Sequence, residues 1–402
     1  MKFAENHAFE SRFVLIQLHS FLSTLHIHTF VPENRDMASN KRYSIYEVWW
    51  FAIVILVSAL VITGSCKHDH LPSLSTGGHD YNQVNLVADT AGFGAARIDT
   101  NLDNPWGIAI GSTGSFWISN NHSGTTGVYD GSGNQLLAEV GIPFGGADNG
   151  ASPSGVVYNN TTDFIVPVNG KAAKFIYVTE DGIITAWNKG DTTILVADRS
   201  ASNTVYKGVA IANDGTGNFI YAVDFHNAKV DVFDKSFNYV PGKTLADPNI
   251  PVGFAPFNIQ NIGGALYVTY AKQKGPENMD DQDGTGYGYV DIYTPGGTLV
   301  KRFASQGSLN SPWGIAKAPA GFGQGAGIIL IANFGDGRIN VFDTGGNYKG
   351  QLDNNGIPVF IDGLWAITFP QTTAGGLDTN TLYFTAGPQQ ETYGIFGYLK
   401  VK

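Results

Sequence analysis

From about residue 84 onward, short apolar runs alternate with turns rich in Gly, Asn and Asp, and the alternation is periodic. Six units open on related apolar stretches: "PWGIAI" at Pro105, "SGVVYN" at Ser154, "KGVAIA" at Lys207, "PFNIQN" at Pro256, "PWGIAK" at Pro312 and "GLWAIT" at Gly363. The openings recur about every 50 residues, close to a kelch-type propeller repeat. Each unit continues with a second run ("FWISN", "FIYVTE", "FIYAVDF", "LYVTYA", "IILIANF", "LYFTAG") and a third ("GVYD", "IITAWN", "KVDVFD", "YVDIYT", "RINVFD", "GIFGYL"). These runs are short and rich in β-branched and aromatic residues, which predicts strands. Turns such as "DGSGN", "TPGG" and "DTGGN" precede a fourth run, and Gly, Asn and Asp there supply the positive φ of tight hairpins. The pattern predicts an all-β fold, a six-bladed β-propeller of four-stranded antiparallel blades over residues 83–402. The sixth unit shows no fourth run, while an unassigned strand, 83–89, precedes the first unit. That strand is expected to join the last blade, closing the ring and covering a bare sheet edge.

Composition narrows the functional classes. The chain of 402 residues carries a formal net charge of −10 with only 14% charged residues. Nucleic-acid binding needs a basic face, so it is not expected. The single cysteine, Cys66, excludes an internal disulfide framework. It ends the run "VWWFAIVILVSALVITGSC", which follows Lys41 and Arg42 and has a signal-peptide layout. "ITGSC" resembles a bacterial lipobox, with Thr63 in place of the commoner Leu. The domain reading is therefore an over-extended start at 1–36 (Met37 being the true start), a lipoprotein signal peptide at 37–65, a tether at 66–82 and the propeller. Lipidation at Cys66 implies export and anchoring in the bacterial envelope, with the outer membrane favoured because no acid follows the cysteine. The propeller itself is expected to be monomeric, with an unknown ligand or envelope protein as its partner.

Candidate chemistry gathers where inner strands begin and second strands end, around the channel mouth. The inner-strand entries carry Trp106, Ser154, Lys207, Asn258, Trp313 and Asp362, with Trp365 just inside. Trp106, Lys207, Asn258, Tyr270, Trp313 and Asp362 are the candidate binding residues. An aligned column at the ends of the second strands reads Asn120, Glu180, Asp224, Tyr270, Asn333 and Ala386, with His122, Asp181, His226 and Asp336 nearby. Oxygen ligands from Asn120, Glu180, Asp224 and Asn333 would suit Ca²⁺ or another divalent cation. The alternative is that Asn and Asp cap strand ends and bond to turns. Lys207 is expected to form a salt bridge with Asp224 or Glu180. The tryptophans either stack against a ligand or pack between blades, and Gly107 and Gly314 permit close backbone approach. The long segment "KQKGPENMDDQDGTGY" places Asp281 and Asp283 on the same face, without the distal Glu of an EF-hand. "GFGQGAG" opens no helix and is not a dinucleotide loop.

The string "NPWGIA", "TEDGIITAWN", "YKGVAIA", "GFAPFNIQ", "NFGDGRINVFD" and "GLWAITF" resembles an uncharacterised family of exported bacterial proteins with an NHL-like six-bladed propeller. Some members of that family carry PEP-CTERM sorting tails, for which a lipobox would substitute here. The resemblance implies fold and export, and no activity. A metal-centred channel would be similar to the gluconolactonase-type six-bladed enzymes, which polarise a lactone or ester carbonyl with a divalent cation. Those enzymes place an acidic ligand at the start of a first-blade inner strand, where this chain reads "PWG". Two readings follow: a binding or scaffold module acting through its channel face, and a divalent-metal-dependent hydrolase or lactonase.

Overall fold

Each apolar opening forms the innermost strand of a blade, and the following runs add outward as antiparallel neighbours. The computed structural model describes residues 80–144, 151–325 and 327–402. Cys66 and the expected signal and tether segments lie outside the described residues. Blade one comprises Pro105–Ile110, Phe116–Asn120, Thr125–Tyr129 and Val140–Gly141. Blade two comprises Pro153–Tyr158, Phe175–Thr179, Ile183–Trp187 and Ile194–Asp198. In blade three, Tyr206–Asn213, Asn218–Asp224 and Lys229–Phe233 are complete strands. Its outer strand is reduced to one bridge between Phe233 and Tyr239, because Pro241 has no N–H to extend the ladder.

Blades four and five run from Phe254–Ile262 to Leu299–Ser305 and from Pro312–Ala318 to Tyr348–Gln351. Blade six comprises Leu364–Thr368, Leu382–Ala386 and Ile395–Val401. Its outer strand is Tyr81–Ala88, paired antiparallel with Ile395–Val401 from Tyr81 opposite Val401 to Ala88 opposite Ile395. The expected closure of the six-bladed ring is therefore present. Arg97–Ile98 then pairs in parallel with the far side of this clasp strand. No helix among the described residues is long and apolar enough to cross a membrane.

The core lies between blades. Leu330, Leu382 and Phe384 are fully buried where blades five and six meet, and each such side chain contributes about 2 kcal/mol. At the axis the inner strands approach so closely that side chains would collide. A Cβ on Gly107 would lie 2.7 Å from the Ser154 carbonyl oxygen, and one on Gly314 would lie 2.7 Å from that of Trp365. In "PWG" the glycine therefore lets the next blade in, and the tryptophan before it fills the channel.

Candidate functional site at the channel mouth

Pairing register defines what faces the axis. Pro105 lies opposite Asn120, Pro153 opposite Thr179, Tyr206 opposite Asp224, Pro256 opposite Tyr270, Pro312 opposite Asn333 and Leu364 opposite Ala386. The next residue on each inner strand gives one ring: Trp106, Ser154, Lys207, Phe257, Trp313 and Trp365. Phe257, not Asn258, is the blade-four member, because the register shifts between Pro256 and Asn258. Asp362 lies two residues before the start of its inner strand.

The aromatic members pack on one another rather than lining an open hole. Trp106 stacks on Trp365 with ring centroids 3.9 Å apart, Phe334 stacks on the same Trp365 at 3.8 Å, and Trp313 meets it edge-on at 5.8 Å. All three tryptophans are at least nine-tenths buried. Below them the channel keeps a cavity of about 10 Å³, lined by Gly107, Asn258, Trp313 and Gly314, enough for about one water. The indole N–H groups of Trp106 and Trp313 have no acceptor among the described residues.

Lys207 is the one charged member of the ring and is 1% exposed. Its ammonium pairs with Glu180, lies 3.6 Å from Asp280 Oδ1, and sits 4.7 Å from the centroid of Trp106 and 5.8 Å from that of Phe225. Of the two partners expected for it, the structure selects Glu180. Burial pushes the Lys207 amine down, but Glu180, Asp280 and Asp281 outweigh it and hold the group above its ordinary value.

Two further acids, Glu391 and Asp281, complete the mouth. Glu180 also accepts a hydrogen bond from Asn121 Nδ2 (2.9 Å). Glu391 accepts one from Asn104 Nδ2 (2.7 Å), and Asn104 Oδ1 accepts one from Trp365 Nε1 (3.2 Å). The plug thus orients Asn104, which orients Glu391. Burial raises the Glu391 carboxyl, with Glu180 and Asp281 adding to the rise and Asn104 and Lys207 opposing it. Burial pushes Asp281, from the long blade-four loop, up to about 6 against the Ser311 hydroxyl and Lys207. That loop is fastened over blade three: Gln273 Nε2 donates to the carbonyl oxygens of Phe225 (2.7 Å) and His226 (3.1 Å).

Backbone strain concentrates here. Gln389, Gln390 and Glu391 have consecutive φ values of 55°, 57° and 64°, a left-handed turn built from three non-glycine residues. Each costs roughly 1–2 kcal/mol relative to the right-handed form. Asp362 Oδ2 secures the turn by accepting the Gln389 N–H (2.8 Å). Asn104 and Ser311, which precede the two "PWG" prolines, also have positive φ (45° and 44°). They belong to the sets that surround Glu391 and Asp281 respectively.

The expected metal ligands are not brought together. Glu180 falls one residue beyond the aligned column, whose blade-two member is Thr179, and one step along a strand reverses the face. Asn120, Asp224 and Asn333 close hairpins instead. Asn120 donates to Thr125 Oγ1 (3.2 Å), and Asn333 donates to Ser308 O (2.8 Å) and Asp336 Oδ1 (3.0 Å). Asp224 accepts from Val205 N (3.3 Å) and Asn227 Nδ2 (2.8 Å) and lies 3.6 Å from Lys229. Among the described residues no three His, Cys, Asp or Glu side chains are grouped to hold a metal ion. Two binding candidates are also occupied elsewhere. Asn258 donates to the Trp313 carbonyl (2.8 Å), and the Tyr270 hydroxyl bonds that of Tyr293 (2.8 Å).

No family model matches the chain. Its sequence is 36% identical to Uncharacterized protein R648 of Acanthamoeba polyphaga mimivirus over 330 residues, 78% of this chain and 79% of that protein. The chain belongs to the R648 family. Uncharacterized protein L690 of the same virus is 33% identical over 329 residues, 79% of this chain and 85% of that protein. The relatives named for this R648-family chain are viral, whereas the motif string suggested a bacterial family. Among solved structures, a protein of unknown function from Bacteroides thetaiotaomicron VPI-5482 superposes with a TM-score of 0.50 at 13% identity, covering 81% of this chain and 77% of that one. That likeness is one of fold.

Proposed function

We propose that this propeller is a binding module whose channel mouth takes a small, positively charged ligand. One observation carries the reading: carboxylates from blades two, four and six surround one buried ammonium. Glu180, Asp280 and Asp281 act on Lys207, and Lys207 in turn acts on Glu391. Four acids facing one cation leave an acidic surplus, and the raised positions of Asp281 and Glu391 reflect it in part. A bound cation relieves that repulsion. The strained turn under Glu391 supports the same reading, since such strain clusters at ligand clamps.

The test is a titration of the full chain with 1,4-diaminobutane and, separately, with calcium chloride, read by fluorescence of the plug tryptophans. A saturable response to the diamine that Glu391→Gln weakens supports an organic amine. The same behaviour with calcium alone assigns the mouth to a metal ion. Absence of any saturable response to either refutes the reading. Anchoring of the module through a lipid on Cys66, outside the described residues, is part of the proposal, and palmitate labelling lost in Cys66→Ser tests it.

A further inference from the structure

A second group of acids lies away from the channel, where the ring-closing segment meets blade one. After the clasp strand, the chain turns back so that Val87 pairs with Arg97 and Ala88 with Ile98. The next residue, Asp99, donates its N–H to Ala88 O (2.9 Å). Its side chain reaches across to blade one, where Oδ2 accepts the hydroxyl hydrogen of Tyr129 (2.7 Å). Tyr129 is 1% exposed.

The carboxyl of Glu139, just before the outer strand of blade one, lines the same surface cavity as that of Asp99, close enough for Asp99 to act on it. Glu139 Oε1 accepts from Gln135 Nε2 (3.0 Å), the Asn101 side chain also favours its charged form, and among the described residues Oε2 is buried with no close donor. Among the described residues neither acid has an ion-pair partner. The nearby Arg97 guanidinium donates to Asn134, and Asn134 is itself bound to Asp130 (2.7 Å). Arg97, Asp99, Tyr129, Gln135 and Glu139 border a surface cavity of about 910 Å³.

Two adjacent carboxyls without a cation are compatible when one of them keeps its proton. We propose that the Asp99–Glu139 pair is an acid-held latch that fastens the ring-closing segment to blade one. Glu139 donates its proton toward Asp99, and Tyr129 fixes Asp99 from the opposite side. Burial pushes Glu139 up to about 7, with Asp99 adding to the rise. Tyr129 faces the pair from blade one, and Arg97 and Asp130 lie nearby on the clasp segment and the blade-one turn. Burial and both acids hold the Tyr129 hydroxyl far above its ordinary value, and hydrogen bonds from Asn134 keep Asp130 below the usual carboxylate range despite its partial burial.

The sign follows from linkage. A carboxyl raised on latching stabilises the closed form fully below the ordinary Glu value. That contribution weakens by up to about tenfold per pH unit as pH rises toward about 7, then levels off.

Thermal unfolding of the full chain, in chelator, is measured from acidic to neutral pH for wild type, Glu139→Gln and Asp99→Asn. The Gln amide donates to Asp99 at every pH, so Glu139→Gln is expected to match wild type in acid and to exceed it increasingly toward neutrality. Asp99→Asn removes the neighbouring charge and is expected to lessen the same fall, leaving the part that burial of Glu139 and the mouth carboxyl Asp281 contribute. If both variants keep the wild-type fall, the latch is refuted. If calcium restores wild type at neutral pH but leaves Glu139→Gln unmoved, the pair is a cation site and the latch is likewise refuted. Because the two substituted residues lie away from the channel mouth, failure of the latch leaves the binding reading untouched.

Discussion

The Lys207 ammonium lies over the Trp106 ring and forms its ion pair with Glu180, so one buried cation ties together the inner faces of blades one, two and three. A lysine on a propeller's inner strand is surrounded by apolar neighbours, and such a charge is tolerated only when it is paired. Here the partner sits at the mouth and the aromatic plug supplies the remainder of the lysine's surroundings.

Replacing Lys207 by Ala leaves Glu180 facing Asp281 and Glu391 with no counter-charge and opens a void beside Trp106. The expected loss is about 3 kcal/mol, the range for breaking a buried pair. Chemical denaturation measures it. Lys207→Met fills the void without the charge, so a smaller loss for Met than for Ala separates packing from electrostatics.

Cation binding at the mouth is expected to strengthen as pH rises. Asp281 is held near 6, chiefly by burial, so it is protonated in acid and charged at neutrality. Protons and ligand compete for it, and the apparent affinity should increase through pH about 6. The same shift acts oppositely on stability: folding gains from Asp281 below its ordinary value and loses that gain as pH rises toward about 6. Titrations at several pH values should show the two trends running in opposite directions, and Asp281→Asn should weaken both.

The propeller was legible in the sequence because its signal is repeated. Six strand openings with the same flanking turns vote for one answer, and the missing sixth outer strand names its own replacement at Tyr81–Ala88. The site was only half legible. Lys207, Trp106, Trp313 and Glu180 stand out, but the matching of the repeats places Glu180 in the column of Asn120, Asp224 and Asn333. The ladder puts Thr179 there. Glu391 gave no signal at all: it reaches the mouth through a left-handed turn in "GPQQETY", and non-glycine residues carry no mark of positive φ. Its contact with Asn104 spans 287 residues, a relationship that exists only once the ring closes.

The close approach of neighbouring inner strands makes Gly314 intolerant of any side chain. A Cβ would meet the Trp365 carbonyl oxygen at 2.7 Å and Ile367 at 3.0 Å. Gly314→Ala is therefore expected to destabilise by about 1–3 kcal/mol through overpacking, in spite of the backbone entropy that Ala saves. A melting curve equal to wild type would contradict the packing described at the axis.

The left-handed turn offers the clearest separation of stability from function. Gln390 is exposed and has a φ of 57°, so its side chain makes the turn costly without filling space. Glycine adopts that conformation freely. Gln390→Gly should relieve strain of about 1 kcal/mol, offset in part by the greater freedom of glycine in the unfolded chain. Binding should change the other way. A looser turn holds Glu391 less firmly against Asn104, and a charged hydrogen bond of roughly 1.5–3 kcal/mol depends on that placement. The variant is thus expected to melt at or above the wild-type temperature while binding the cationic probe more weakly. Stabilisation with unchanged binding would show that the strained turn has no part in binding, since a clamp whose geometry matters cannot be loosened without cost to its ligand.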